Sequence, residues 1–298
     1  MNQIGNVLAA VGQFPQNDPV LARAAEIARA HRARLTIVHV IDSLTGFDLA
    51  PTDLALIQHQ IGLIARENIE AAITRQAIDI PRIDIRIETG SPSMRLVNQA
   101  HETGADLVVM MAHERESILS RIIGSTTDRV IRAACLPVLV VKRPITQAYE
   151  RMVVATDTSE ESGAIVSFVA ALFPLAGLRL VHVVQIPPPF EEAMRRAGHG
   201  QASMAAHRDA LVRKAMVYMR GILEQLAHRP NHSTTRVVVG DPAKLLVQAT
   251  WDPQVSLIAL GPGGTNLIRR ALLGSVTRRL LQAATCDVLI CNTRGVRE

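Results

Sequence analysis

The chain has 298 residues, a formal net charge of +5 at pH 7 and 48% apolar residues, with only 3% aromatic ones. This length suffices for two domains with cores of their own, and the aliphatic composition favours buried parallel strands covered by helices over an all-β sandwich. Three cysteines without paired spacing argue against a disulfide framework, and no apolar run is long enough to cross a bilayer. We therefore expect a soluble cytoplasmic protein without a membrane partner.

The excess of positive charge lies in the second half of the chain. A basic half can attract a nucleic acid or a small anion. The basic residues are scattered, however, and no cluster of aromatic stacking residues accompanies them. We therefore expect no nucleic-acid partner.

Five apolar runs in the first half predict strands, and segments with helical periodicity separate them. The longest helical segment covers residues 53–78. Proline two residues after Gly90 predicts that another helix starts there. The predicted strands are 6–13, 33–42, 82–92, 105–111 and 136–142.

The second half repeats this order at a period of roughly 145–150 residues. Residues 203–228 form its longest helical segment. We interpret residues 142–150 as a linker between the halves and residues 186–200 as a mobile loop within the second half. The predicted strands are 152–159, 178–187, 234–242, 255–261 and 286–292.

Strands that alternate with helices predict a parallel sheet covered by helices, and right-handed crossovers fix how the chain winds. The sequence therefore predicts an α/β fold of two tandem doubly wound domains, residues 1–145 and 146–298. Each domain is a five-stranded parallel sheet flanked by helices.

One glycine pattern occurs complete in the second half only. It reads Gly261-x2-Gly264-x9-Gly274-Ser275 and begins where an apolar strand ends. In open α/β sheets ligands bind outside the carboxyl ends of the strands, and glycine lets the backbone approach them closely. The helix that starts after Gly274 offers free amides to phosphate oxygens. Pro262 lacks an N–H, which leaves amides at Gly264 and Gly274 as donors.

These residues resemble the universal stress protein family, as two tandem copies over essentially the whole chain. The resemblance also rests on Asp157 after the first strand, His182-Val183 in the second and the turn Gly240-x-Pro242. It implies an adenine nucleotide alpha-hydrolase-like fold. In the family, this glycine spacing marks the members that bind ATP.

The resemblance also implies a role for each site residue. Asp157 and the backbone of Val183 would hold the nucleoside, and Gly261 would line the ribose and the α-phosphate. Mg2+ or Mn2+ would bridge phosphate oxygens, with no metal site made of protein ligands. The phosphates would contact Gly264, Gly274, Ser275 and Val276.

The first half departs from the pattern at three positions. Gly12 replaces the acidic residue, while Met111 and Glu114 replace two of the glycines. A carboxylate about 4 Å from a phosphate oxygen costs about 4 kcal/mol at an effective dielectric near 20, roughly half the binding free energy of a micromolar ligand. We therefore predict that only the second domain binds nucleotide.

The resulting expectation is a cytoplasmic stress-response protein that binds ATP, or another adenine nucleotide, in its C-terminal domain and acts as a nucleotide-dependent regulatory or binding protein. The alternative is a binding module for another small ligand or a protein partner, using the N-terminal domain pocket. The sequence offers no catalytic residues, so it indicates at most slow ATP hydrolysis. Domains of the universal stress protein family commonly pair through their last strands, so the resemblance implies that LPVLVVK and CDVLICN form an internal pseudo-dimer, which could form a further homodimer.

Overall fold

The computed structural model describes residues 4–43, 50–111, 125–144, 147–198, 200–226, 232–263 and 273–292. They form two compact units. The first consists mainly of Met1–Ala148, and the second of Tyr149–Arg270 and Gly274–Cys291.

The first unit alternates strands and helices along its described residues. Its sheet has the order β3-β2-β1-β4-β5, and all pairs are parallel. The elements are β1 (Asn6–Val11), α1 (Asp18–His31), β2 (Arg34–Ile41), α2 (Pro51–Arg75), β3 (Ile83–Thr89), α3 (Pro92–Glu102), β4 (Leu107–Met111), α4 (Ser125–Ala133) and β5 (Val138–Val141).

The second unit repeats this arrangement with one additional helix among its described residues. Its sheet has the order β10-β9-β6-β7-β8, again with parallel pairs. The elements are β6 (Arg151–Thr156), α5 (Glu160–Leu172), β7 (Gly177–Val184), α6 (Pro188–Arg196), α7 (Gln201–Leu226), β8 (Ser233–Val239), α8 (Pro242–Ala249), β9 (Leu257–Leu260), α9 (Ser275–Ala283) and β10 (Asp287–Ile290).

The core of each unit lies on both faces of its sheet. Every residue of β1, β5, β9 and β10 is buried, whereas β3 and β8 at the sheet margins are half-buried or exposed. Strands buried on both faces explain why the sequence shows continuous aliphatic runs instead of alternation. The predicted α/β architecture of tandem five-stranded parallel sheets is confirmed. None of the helices described combines the length and the apolar character needed to span a membrane.

The prediction of a loop over residues 186–200 is wrong. Residues Pro188–Arg196 form α6, and α7 begins at Gln201. Proline is tolerated in the first helical turn, where its missing N–H costs nothing. Glu192 then pairs with Arg195 and Arg196 one turn later, which stabilises a short helix.

The end of the predicted linker belongs to the second unit. Tyr149 is buried, and its hydroxyl donates a hydrogen bond to the Asp287 carboxylate at 2.5 Å. Its ring packs edge-on against Phe173 with the ring centroids 5.1 Å apart. The polar neighbours of Tyr149 in the sequence concealed this anchoring role.

Candidate functional site

A junction of glycines joins the end of β9 to the start of α9. We call Gly261–Gly263 together with Gly274 the glycine junction. Gly263 has a φ of +81°, a backbone conformation that residues with a Cβ rarely adopt. The Gly274 N–H donates to the Pro262 carbonyl at 3.1 Å. The chain therefore leaves the sheet at the end of β9 and contacts this segment again at Gly274, the N-cap of α9.

Close backbone contact explains why glycine is needed on both sides of this junction. A Cβ added at Gly263 would lie 3.1 Å from the Gly274 Cα, and one added at Gly274 would lie 3.2 Å from the Gly263 Cα. Sequence reasoning selected Gly261, Gly264 and Gly274 and missed Gly263. The Gly-Gly dipeptide at 263–264 was the signal for it. Gly264 itself lies outside the described residues.

Thr277 fastens the junction to α9. Its buried hydroxyl donates to the carbonyls of Gly261 at 3.2 Å and Pro262 at 3.3 Å. The counterpart in the first unit, Thr127, is buried, and its hydroxyl has no hydrogen-bond partner among the described residues. Sequence reasoning missed Thr277, because a threonine in the first turn of a helix carries no distinctive pattern.

The first amides of α9 have no side-chain cap among the described residues. Gly274 is the N-cap and has no side chain of its own to cap the helix. The first helical hydrogen bond runs from the Arg278 N–H to the Gly274 carbonyl. The N–H groups of Ser275 and Val276 thus stand at the positive end of the helix dipole, beside the exposed Ser275 side chain. The Gly274 N–H, which we expected to be a phosphate donor, is already bonded to Pro262.

Asp157 follows β6 directly and is held by two serines. Its Oδ1 accepts hydrogen bonds from the Ser159 N–H at 3.0 Å, the Ser159 hydroxyl at 2.5 Å and the Ser162 hydroxyl at 2.6 Å. Burial raises the pKa of Asp157, but hydrogen bonds led by those from Ser159 and Ser162 outweigh it and hold the pKa below its ordinary value of 3.8. The side chain is therefore a fixed carboxylate, not a general acid, at neutral pH.

Val183 lies on the strand beside Asp157. The register of β6 and β7 pairs Thr156 with His182, so the next residues along the two strands are Asp157 and Val183. Neighbouring strands lie about 4.8 Å apart. The His182 Nδ1 is 2.8 Å from the Thr156 carbonyl oxygen and fixes these strand ends together. Val183 is half-buried.

The sheet order places the described site residues along one line. Because β6 lies between β9 and β7, the glycine junction, Asp157 and Val183 follow each other across the carboxyl end of the sheet. Among the described residues, the hydrogen bonds of the Asp157 carboxylate go to Ser159 and Ser162 and not to the glycine junction. The strand order thus brings the two ends of the site to the same edge of the sheet.

A cavity of about 710 Å³ opens beyond Val183. This volume is within the range of small-molecule sites. It is lined by the ends of β7 and β8 and by α6 and α7, including Val184, Ile186, Arg195, Met204, Arg208 and Gly240. Within the ranges that the structure describes, no group of three or more His, Cys, Asp or Glu side chains is placed to hold a metal ion.

The model of the universal stress protein family matches the sequence twice, over residues 3–142 and 148–292. The chain belongs to the universal stress protein family. A protein of Staphylococcus aureus strain USA300, whose name places it among universal stress proteins, is 30% identical over 141 residues, which are 46% of this chain and 83% of that protein.

A solved structure that covers most of this chain has a similar fold. A universal stress protein from Archaeoglobus fulgidus has a TM-score of 0.67 and 14% identity, with 96% of this chain and 95% of that chain covered. At this identity the likeness concerns the fold alone. A shorter universal stress protein solved in complex with cAMP is 27% identical, with 47% of this chain and 97% of that chain covered and a TM-score of 0.34.

Proposed function

We propose that the second unit binds an adenine nucleotide, ATP foremost, and that the protein acts as a cytoplasmic, nucleotide-dependent regulatory or binding protein in a stress response. The observation that carries this proposal is the close contact of Gly263 with Gly274 beside the first amides of α9, which no side chain among the described residues caps. Uncapped amides at a helix start bind phosphate oxygens.

The phosphates lie against the glycine junction and the start of α9. The N–H groups of Ser275 and Val276 and the Ser275 hydroxyl donate to phosphate oxygens, and the sequence pattern assigns Gly264 a backbone contact with them as well. Gly274 acts through its missing side chain, since its N–H is already bonded to Pro262. A divalent cation, Mg2+ or Mn2+, takes its ligands from phosphate oxygens and water, as Mg2+ commonly does.

The nucleoside lies further along the same line. The Asp157 carboxylate accepts a hydrogen bond from a ribose hydroxyl, and the Val183 backbone contacts the base. Two serines hold the carboxylate in place before the ligand arrives, so little side-chain entropy is lost on binding. The cavity of about 710 Å³ begins at Val184, the residue after Val183, so it adjoins the base end of the site and is not lined by Asp157 or the glycine junction.

The first unit does not bind nucleotide in this proposal. Met111 ends β4 at the position equivalent to Gly261 and places a side chain where the second unit has none. Glu114 stands for Gly264 in the sequence and lies outside the described residues. The prediction that only the second unit binds nucleotide therefore rests on Gly12, Met111 and Glu114 in the first unit.

Isothermal titration of the full chain with Mg-ATP, ADP, AMP and cAMP tests the proposal. Gly264→Glu copies the first half, and Gly264→Gln adds nearly the same volume without the charge. We expect Gly264→Glu to weaken ATP binding by up to about a thousandfold, since repulsion of about 4 kcal/mol corresponds to roughly that factor. Gly264→Gln should weaken it clearly less.

Glu114→Gln in the first half is the matched control and should leave the affinity and the stoichiometry unchanged. Heat of binding that survives in Gly264→Glu, or that disappears in Glu114→Gln, would contradict the assignment to the second unit. Tighter binding of cAMP than of ATP would keep the site but replace its ligand.

A further inference from the structure

Helix α2 exposes an apolar face to solvent. Leu56, Ile57, Leu63 and Ile64 are 60%, 39%, 42% and 55% exposed. They are two pairs spaced by seven residues, so they share one side of the helix. Residues 54–64 contain no Asp, Glu, Lys or Arg. We call these four residues the α2 face.

The repeat supplies an internal comparison for this surface. Helix α7 is the counterpart of α2, and a shift of 150 residues superimposes their buried positions. The buried pairs are Ala65 with Ala215, Ile69 with Met219 and Ala72 with Ile222. The two helices therefore pack on their own sheets in the same way, and their outer surfaces can be compared position by position.

The outer surfaces differ in character. Leu63 and Ile64 in α2 correspond to Arg213 and Lys214 in α7, and Leu56 and Ile57 correspond to Ala206 and His207. One turn further the difference reverses. Met216 and Val217 of α7 are 51% and 71% exposed where α2 has Arg66 and Glu67. Apolar side chains at Leu63 and Ile64 are therefore not a requirement of the shared fold, which carries Arg213 and Lys214 there. The counterpart of Ile57 differs in another way, since the centroid of the His207 ring lies 5.3 Å from that of the Phe190 ring of α6.

The lack of charge on the α2 face permits a contact between two identical chains, and its size limits that contact to a weak one. Its four side chains expose roughly 400 Å² of apolar surface, comparable with the largest patch on a typical monomer. In a twofold contact a face meets itself, so a charged face repels its copy while an uncharged one does not. Two copies would bury about 800 Å², short of the roughly 1,200–2,000 Å² of a stable complex.

We propose that the α2 face is the contact of a weak homodimer, in which α2 of one chain packs against α2 of a second copy. The seven-residue spacing of its two pairs suits side-by-side helix packing. A small apolar contact of this kind forms at high protein concentration and dissociates on dilution. This dimer is independent of nucleotide and does not use the sheets.

Sedimentation equilibrium from low micromolar to submillimolar protein tests this proposal. The double variant Leu63→Arg, Ile64→Lys copies α7 and should weaken dimerisation at least about tenfold, which is 1.4 kcal/mol. The control Met216→Arg, Val217→Glu copies α2 onto α7 and should dimerise like the wild type. Thermal melting of both variants at low concentration should match the wild-type midpoint.

Any of four results would overturn the proposal. The wild type could remain monomeric at every concentration. The control could lose the dimer as strongly as the α2 variant, or both variants could keep it. The α2 variant could melt several degrees below the wild type at a concentration where all are monomeric, which would mean that the α2 face is covered within its own chain.

Discussion

Alanine at Gly263 perturbs the glycine junction in two ways at once. The native φ of +81° costs a residue with a Cβ about 1–2 kcal/mol. The new Cβ would also lie 3.1 Å from the Gly274 Cα, and such overpacking costs about 1–3 kcal/mol more. The chain can relieve the contact only by moving the junction away from α9.

Gly198 is a matched control for the backbone term. Its φ is +82°, and an added Cβ would meet nothing within 4 Å. Gly198→Ala should therefore lower the free energy of unfolding only by the strain of the left-handed conformation, about 1–2 kcal/mol. The difference between the two variants isolates the contact with Gly274.

Thermal melting and titration with Mg-ATP measure the two effects. For a unit of this size, 1 kcal/mol corresponds to about 2–4 °C in Tm. Gly198→Ala should melt about 2–8 °C below the wild type with unchanged affinity, whereas Gly263→Ala should melt lower still and bind ATP at least about tenfold more weakly. Equal Tm and equal affinity in the two variants would refute the reasoning.

Three further predictions concern the rest of the chain. The pKa of Asp157 is lowered in the folded state, so its hydrogen bonds stabilise the fold fully above pH 3.8, and this contribution is lost as the pH falls through the folded pKa. The free energies of unfolding in urea of the wild type and of Asp157→Asn should therefore converge once the pH is below the folded pKa. The exposed Cys135 should react rapidly with a thiol reagent, whereas the buried Cys286 and Cys291 should react only after denaturation. Burial also raises the pKa of the Cys291 thiol. Gly221→Ala, in α7 with nothing within 4 Å of the added Cβ, should raise the free energy of unfolding by up to about 1 kcal/mol in a denaturant titration.

The order of elements could be predicted because each half shows the same apolar runs. Parallel strands buried on both faces leave continuous aliphatic sequence, as in LVVMM of β4 and LIAL of β9. The turn glycines, Gly90 and Gly240, also have positive φ in both halves, and a helix follows each of them. Local patterns repeated twice in one chain reinforce each other.

The missed features depend on contacts between distant residues. Gly263 matters because Gly274 returns to it, and Thr277 matters because its hydroxyl reaches back to the end of β9. The Gly-Gly dipeptide at 263–264 indicates a turn but not the contact with Gly274, and Thr277 has no local signal at all. Helix α6 was missed because its prolines indicated a loop, although the spacing of Glu192 and Arg196 fits a helix.

The number of adenine nucleotides bound per chain tests the central claim most directly. Native mass spectrometry of the full chain with Mg-ATP counts them without assuming a site. We predict one nucleotide per wild-type chain and none for Gly264→Glu. Two nucleotides per chain, or one that persists in Gly264→Glu, would contradict a single site in the second unit.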